Sequence, residues 1–165
     1  MAACRYRRRR AARRPSPALI AAGAAVLVAA AGFTAHHHRH APASRHAAEA
    51  IAYARAQLGK PYEWGGTGPG GFDCSGLVMM AYESAGVSIP RTTEEQWATL
   101  RHVSTLRPGT LIYYAGADGT QSDPGHVVLY IGHQHVIQAY GTGFPVMVTA
   151  LGSVDAGPLT GYARP

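Results

Sequence analysis

Pro61-Tyr-Glu-Trp-Gly-Gly-Thr-Gly-Pro-Gly-Gly-Phe-Asp-Cys-Ser-Gly-Leu77 is the stretch on which the reading of this 165-residue chain turns. Its first part is too rich in glycine for a regular element and forms a tight loop of defined shape. Apolar residues then recur at helical spacing. A helix opens at Cys74 and runs through Leu77, Val78 and Ala81 to Ala85, where Gly86 stops it. A thiol at the start of a helix lies beside unpaired N–H groups and the positive end of the helix dipole, and both favour thiolate. Gly76 and the loop leave room for a substrate backbone to approach. Cys74 is therefore a candidate nucleophile rather than the small buried hydrophobe that a free cysteine commonly is, and its polar neighbours Asp73 and Ser75 agree.

On the N-terminal side, Ser44 caps a helix that runs to Leu58 with Ala47, Ile51, Ala54 and Leu58 on one stripe, and Gly59 and Pro61 end it. On the C-terminal side, Thr93 with Gln96 resembles a capping box for a short third helix carrying Trp97 and Leu100. Both tryptophans, Trp64 and Trp97, read as packing residues. After Pro108-Gly109 the pattern becomes extended. Residues 110–114, 126–131, 134–139, 146–149 and 159–162 read as strands separated by glycine and Asp-Pro turns. Helices first and antiparallel strands later give an α+β fold, with the helices packed on the sheet.

The ends of the chain bound its setting. Seven arginines lie between residues 5 and 14, followed by seventeen uncharged residues from Pro17 to Phe33. A positive start and an apolar run make residues 1–35 an export signal or, if retained, an N-terminal membrane anchor. Residues 36–45, with His36-His37-His38-Arg39-His40, read as a solvated linker rather than a metal site, and 46–165 as the single domain. Residues 36–165 carry eight basic and nine acidic side chains. The body is thus not basic, which argues against nucleic acid as a partner. Removal of the signal would take Cys4 with it and leave Cys74 unpaired in an oxidising compartment, which points to retained chemistry.

A cysteine nucleophile needs a base. His126 opens an apolar strand directly after the Asp123-Pro124-Gly125 turn, at a strand mouth where side chains reach a cleft. A hairpin symmetric about Gly132 would set Gln138 directly opposite His126, where its amide oxygen can accept the imidazole N–H. A one-residue slip would turn Gln138 away and leave it an ordinary strand residue. His135 would oppose Leu129, too far up the strand to serve.

The motifs Tyr62-x-Trp64-Gly65-Gly66, Asp73-Cys74-Ser75-Gly76-Leu77, Ile89-Pro90-Arg91, Arg107-Pro108-Gly109-Thr110-Leu111 and Gly125-His126-Val127-x-x-Tyr130-Ile131-Gly132 follow one another in this order. Together they resemble the NlpC-type papain-like cysteine peptidases of bacterial cell walls, across residues 47 to about 163. The resemblance implies a papain-like α+β fold and hydrolysis of peptidoglycan stem peptides, typically at the D-γ-glutamyl-diaminopimelate bond, through a thioester. It assigns Cys74 as nucleophile, His126 as base and Gln138 as the orienting residue. The family often has histidine at the third position, and glutamine keeps the orientation without the charge. The resemblance also offers the Tyr62 hydroxyl, beside the Cys74 N–H, as an oxyanion donor. Asp73 and Ser75 have two readings, helix cap and substrate contact, and Arg91 has two, an internal salt bridge and a partner for a substrate carboxylate. The expected protein is a monomer that needs no metal or cofactor. Rival readings are a non-catalytic wall-binding or scaffolding module, and amide hydrolysis or acyl transfer on another substrate.

Overall fold

The computed structural model describes residues 44–165. The expected leader at 1–35, and the linker up to residue 43, lie outside the described residues. Helix α1, Arg45–Ala56, starts under the Ser44 hydroxyl, which accepts from the Ala47 N–H at 3.2 Å. Arg45, expected at the end of the linker, is therefore helical. The buried stripe is Ala47, Ala50 and Ala54, whereas Ile51 is half-buried and Leu58 lies exposed beyond the helix end. Small side chains on that stripe let α1 pack closely on α2, Cys74–Ser84. Helix α2 ends as expected, with Gly86 in the left-handed region at φ 77°.

Helix α3 is Thr93–Thr99, and its cap is Thr92, whose hydroxyl accepts from the Glu95 N–H at 3.3 Å. The expected cap, Thr93, is instead the first helical residue and is buried. The pair Thr92–Glu95 has the same spacing as Thr93–Gln96, so sequence alone could not separate them.

Six antiparallel strands follow: β1 Arg101–Val103, β2 Leu111–Tyr114, β3 His126–Gly132, β4 His135–Gln138, β5 Met147–Ala150 and β6 Leu159–Arg164. They form one sheet in the order β1-β6-β2-β3-β4-β5. Strand β1 is absent from the strands expected from the sequence, because three residues on a sheet edge are too few to show a period. Leu111, Tyr113, Val127, Leu129 and Ile137 meet Leu77, Val78 and Ala81 of α2 on one face of the sheet. Ile112, Val128, Tyr130 and Val136 lie on the other face, covered by Leu106, Leu151, Val154 and Ala156 from the connections. Burial on both faces explains why β3 reads as a continuous apolar run rather than an alternation.

The β3–β4 hairpin departs from the expected register. Leu129 pairs with Ile137 and Tyr130 with Val136, while Gly132 faces His135 across a shift in the ladder. The turn is His133-Gln134, both residues with positive φ, and not Gly132. Val128, rather than His126, therefore lies beside Gln138. The error is two residues, and a displacement of two leaves every side chain on its face.

Candidate active site

The glycine loop is held against the first turn of α2 by Asp73. Its Oδ1 accepts from the Gly76 N–H at 2.6 Å, capping α2, and its Oδ2 accepts from the Gly65 N–H at 3.0 Å. Arg91 completes this knot: Nη1 donates to Asp73 Oδ1 at 3.0 Å and to Ser75 Oγ at 2.9 Å, and Nη2 donates to Asp73 Oδ2 at 2.5 Å. Asp73 and Ser75 are thus committed to the cap and the salt bridge, and Arg91 to the internal one of its two readings. Gly76 has a role other than the expected one. A Cβ on it would overlap the Gly66 carbonyl oxygen, so its bareness lets the loop dock on the helix rather than admitting a substrate.

Cys74, the first residue of α2, is 8% exposed and His126, the first of β3, is 6% exposed. Both line a cleft of about 940 Å³, together with Tyr62, Trp64, Thr93 and Tyr140. His126 Nε2–H donates to Gln138 Oε1 at 3.0 Å, across the diagonal of the hairpin. Gln138 Nε2 in turn donates to Thr149 Oγ1 of β5 at 2.9 Å, which holds the amide with its oxygen towards the histidine. In the neutral ring the proton is therefore on Nε2, and Nδ1 is left as an acceptor. The ring is also met edge-on by Tyr140, at 5.9 Å between centroids. His135, rejected on distance, is exposed at the hairpin turn.

Electrostatics favour a neutral pair at rest. Burial pushes the Cys74 thiol up, against the opposing pull of the Val127 backbone amide and the Thr93 hydroxyl. Burial pushes His126 down, partly offset by its bond to Gln138. Burial and the neighbouring Cys74 also raise Tyr62, so its hydroxyl stays a proton donor at the edge of the site. A buried thiol and a buried imidazole that line one cleft, with Nδ1 the acceptor left on the ring, have the chemistry for proton transfer from sulfur to the imidazole and for attack of the resulting thiolate on a carbonyl.

Sequence reasoning missed three participants. Thr93 Oγ1 lies 3.8 Å from Cys74 Sγ, and the Gly125 carbonyl lies 3.9 Å from it. Thr149 orients Gln138 from a strand that gives no local hint of it. Trp64, expected to pack, is 82% exposed at the cleft rim, whereas Trp97 does pack, stacked on His102 and beside Tyr113. Among the described residues no group of three or more His, Cys, Asp or Glu side chains converges as metal ligands would.

The NlpC/P60 family pattern matches residues 59–154, which span the loop, the nucleophile helix, His126 and Gln138. The chain belongs to the NlpC/P60 family. It is 41% identical over 109 residues to a probable endopeptidase of Corynebacterium glutamicum, covering 64% of this chain and 49% of that protein. A probable endopeptidase of Mycobacterium tuberculosis is 38% identical over 115 residues, covering 66% of this chain and 27% of the relative. The chain thus spans half or less of the length of these relatives. Among solved structures, the peptidoglycan hydrolase RipB of Mycobacterium tuberculosis matches with a TM-score of 0.59 at 33% identity, over 72% of this chain and 64% of RipB. An NlpC/P60 family protein from Bacillus cereus matches with a TM-score of 0.66 at 30% identity, over 76% of this chain and 41% of that one. These likenesses agree with the papain-like α+β architecture expected from the sequence.

Proposed function

We propose that this member of the NlpC/P60 family is a cysteine endopeptidase that cleaves peptidoglycan stem peptides at the D-γ-glutamyl-diaminopimelate bond. The observation that carries the reading is the pairing of His126 with Gln138 at a cleft that the Cys74 thiol also lines. Membership of the family and the endopeptidase names of its relatives support the reaction class. In the proposed sequence, His126 Nδ1 takes the Cys74 proton and Sγ attacks the scissile carbonyl. The Cys74 N–H and the Tyr62 hydroxyl donate to the oxyanion. Collapse breaks the C–N bond, the leaving amine receives the proton from His126, and the acyl group remains on sulfur as a thioester. A water activated by the same histidine then releases the acid and restores the thiol. The arginine-rich start and apolar run support action outside the cytoplasm, with the protein either released or held at the membrane by its N-terminal segment.

The test is incubation of the full chain with muropeptides containing diaminopimelate, with a Cys74→Ala control and products read by mass spectrometry. Cleavage between glutamate and diaminopimelate that vanishes in the control supports the reading. Intact muropeptides, with a folded protein whose Cys74 is readily alkylated, overturn it.

A further inference from the structure

The two adjacent threonines ahead of α3 divide their work. Thr92 caps the helix from an exposed position, while Thr93 turns inward, 4% exposed, with Sγ of Cys74 as its hydrogen-bonding contact at 3.8 Å. Its place is set by Gln96, one turn along α3 and fully buried. Gln96 Nε2 donates to the Ser75 carbonyl at 3.2 Å and to the Pro90 carbonyl at 2.8 Å. One side chain thus fastens α3 both to the first turn of the nucleophile helix and to the segment leading into α3. A hydroxyl on a freely placed helix would have no reason to stay near the sulfur, whereas this one is fixed to the same turn that carries Cys74.

We infer that Thr93 is a catalytic residue of this site, donating its O–H to the Cys74 thiolate in the attacking state, and that Gln96 is the positioning residue that holds it there. The inference rests on the thiolate chemistry proposed above. The thiol proton goes to His126 Nδ1, Thr93 keeps its own proton, and no bond to Thr93 forms or breaks. A hydroxyl that donates to sulfur gains strength when sulfur becomes charged, so it favours the state in which the nucleophile is competent. The need is physical: the thiol is buried and the nearby guanidinium of Arg91 is occupied by Asp73. The titratable and charged groups around the thiol and its cleft are Asp73 at the cap, Tyr62 in the loop, Arg91 ahead of α3, Glu94 on α3, Tyr113 on β2, Asp118 between β2 and β3, His126 on β3 and Asp155 ahead of β6.

The experiment is the pH dependence of iodoacetamide alkylation of the full chain, followed on the Cys74 peptide by mass spectrometry so that Cys4 does not interfere. It compares the wild type with Thr93→Val and Thr93→Ser. Loss of a hydrogen bond to a charged group raises the alkylation midpoint by about one pH unit, equivalent to about a tenfold slower reaction at pH 7. Thr93→Val shows this shift and Thr93→Ser stays within about twofold of the wild type. A folded Thr93→Val with the wild-type midpoint overturns the inference, as does a Thr93→Ser that behaves like the valine variant. If Thr93→Val does not fold, Thr93→Ala removes the hydroxyl with less bulk and is judged by the same criterion. Alkylation needs no peptide, so failure of the proposed peptidase reading leaves this result independent.

Discussion

Gln138 does with an amide what an acid or a second histidine does in related designs. Its oxygen fixes the imidazole tautomer, and its nitrogen is tied to Thr149 so that the amide does not turn over. Gln138→Ala should lower kcat with little change in KM, because it releases the ring without touching the cleft. The loss should stay below the about 10⁴-fold cost of disabling a charged orienting carboxylate, since an amide adds no charge to stabilise the imidazolium. Steady-state kinetics on a defined muropeptide decides this. The pH profile follows from burial. His126 is held below its ordinary 6.5, so the acidic limb of kcat/KM should lie below pH 6.5. The same depression has a stability sign: the folded state disfavours the imidazolium, so this contribution is present above pH 6.5 and is lost as pH falls through the folded value. His126→Gln should flatten that part of the acid denaturation curve in urea titrations.

The elements matter for what they bring to one place. Helix α2 supplies the thiol, and the loop before it is locked onto its first turn by a carboxylate, a guanidinium and a bare α-carbon. Gly76→Ala should cost about 1–3 kcal/mol in denaturant unfolding, because the new methyl collides with backbone, which cannot rotate away. Activity should fall further than stability, since the loop carries Tyr62 and Trp64 into the cleft. The hairpin shows a different tolerance. Its turn sits at His133-Gln134 with a shift in the ladder at Gly132, yet His126 and Gln138 still meet. A displacement of two keeps both side chains on one face and within diagonal reach, whereas an odd one would have turned them to opposite faces.

Over the whole described body, charge is sparse and unevenly placed. Two ion pairs are formed among the described residues, one exposed on α1 and one in the Arg91–Asp73 knot. Stability therefore rests on a sheet buried on both faces. The cleft carries Glu94, Asp118 and Asp155 in addition to Asp73, against a single arginine that Asp73 already occupies. Peptides rich in free carboxylates should be repelled at low salt. Neutralising the three rim acids as Glu94→Gln, Asp118→Asn and Asp155→Asn should raise kcat/KM for acidic muropeptides at about 0.01 M salt. The gain should fade towards about 1 M, where screening acts within about 3 Å. Kinetics of the triple variant across ionic strength measures this, and a gain that is constant with salt would refute the electrostatic account.

The α+β order of helices then strands, the loop before Cys74, the cap of α1 and the family were legible in the sequence alone. Those features are written in local spacing: glycine where backbone must turn, apolar residues at helical or strand periods, and motifs contiguous in the chain. The same local signals placed Cys74 at a helix start and His126 at a strand mouth. Folding settled that Asp73 caps α2, which of two threonines caps α3, where the β3–β4 turn falls, and that Gln138 leans on Thr149. It also decided that Arg91 is held by Asp73 and that Trp64 stands in solvent. The Gln138–Thr149 and Arg91–Asp73 contacts and the inward turn of Thr93 towards Cys74 depend on partners distant in sequence. Local pattern sets which face or end a residue occupies, and packing alone sets what it meets there.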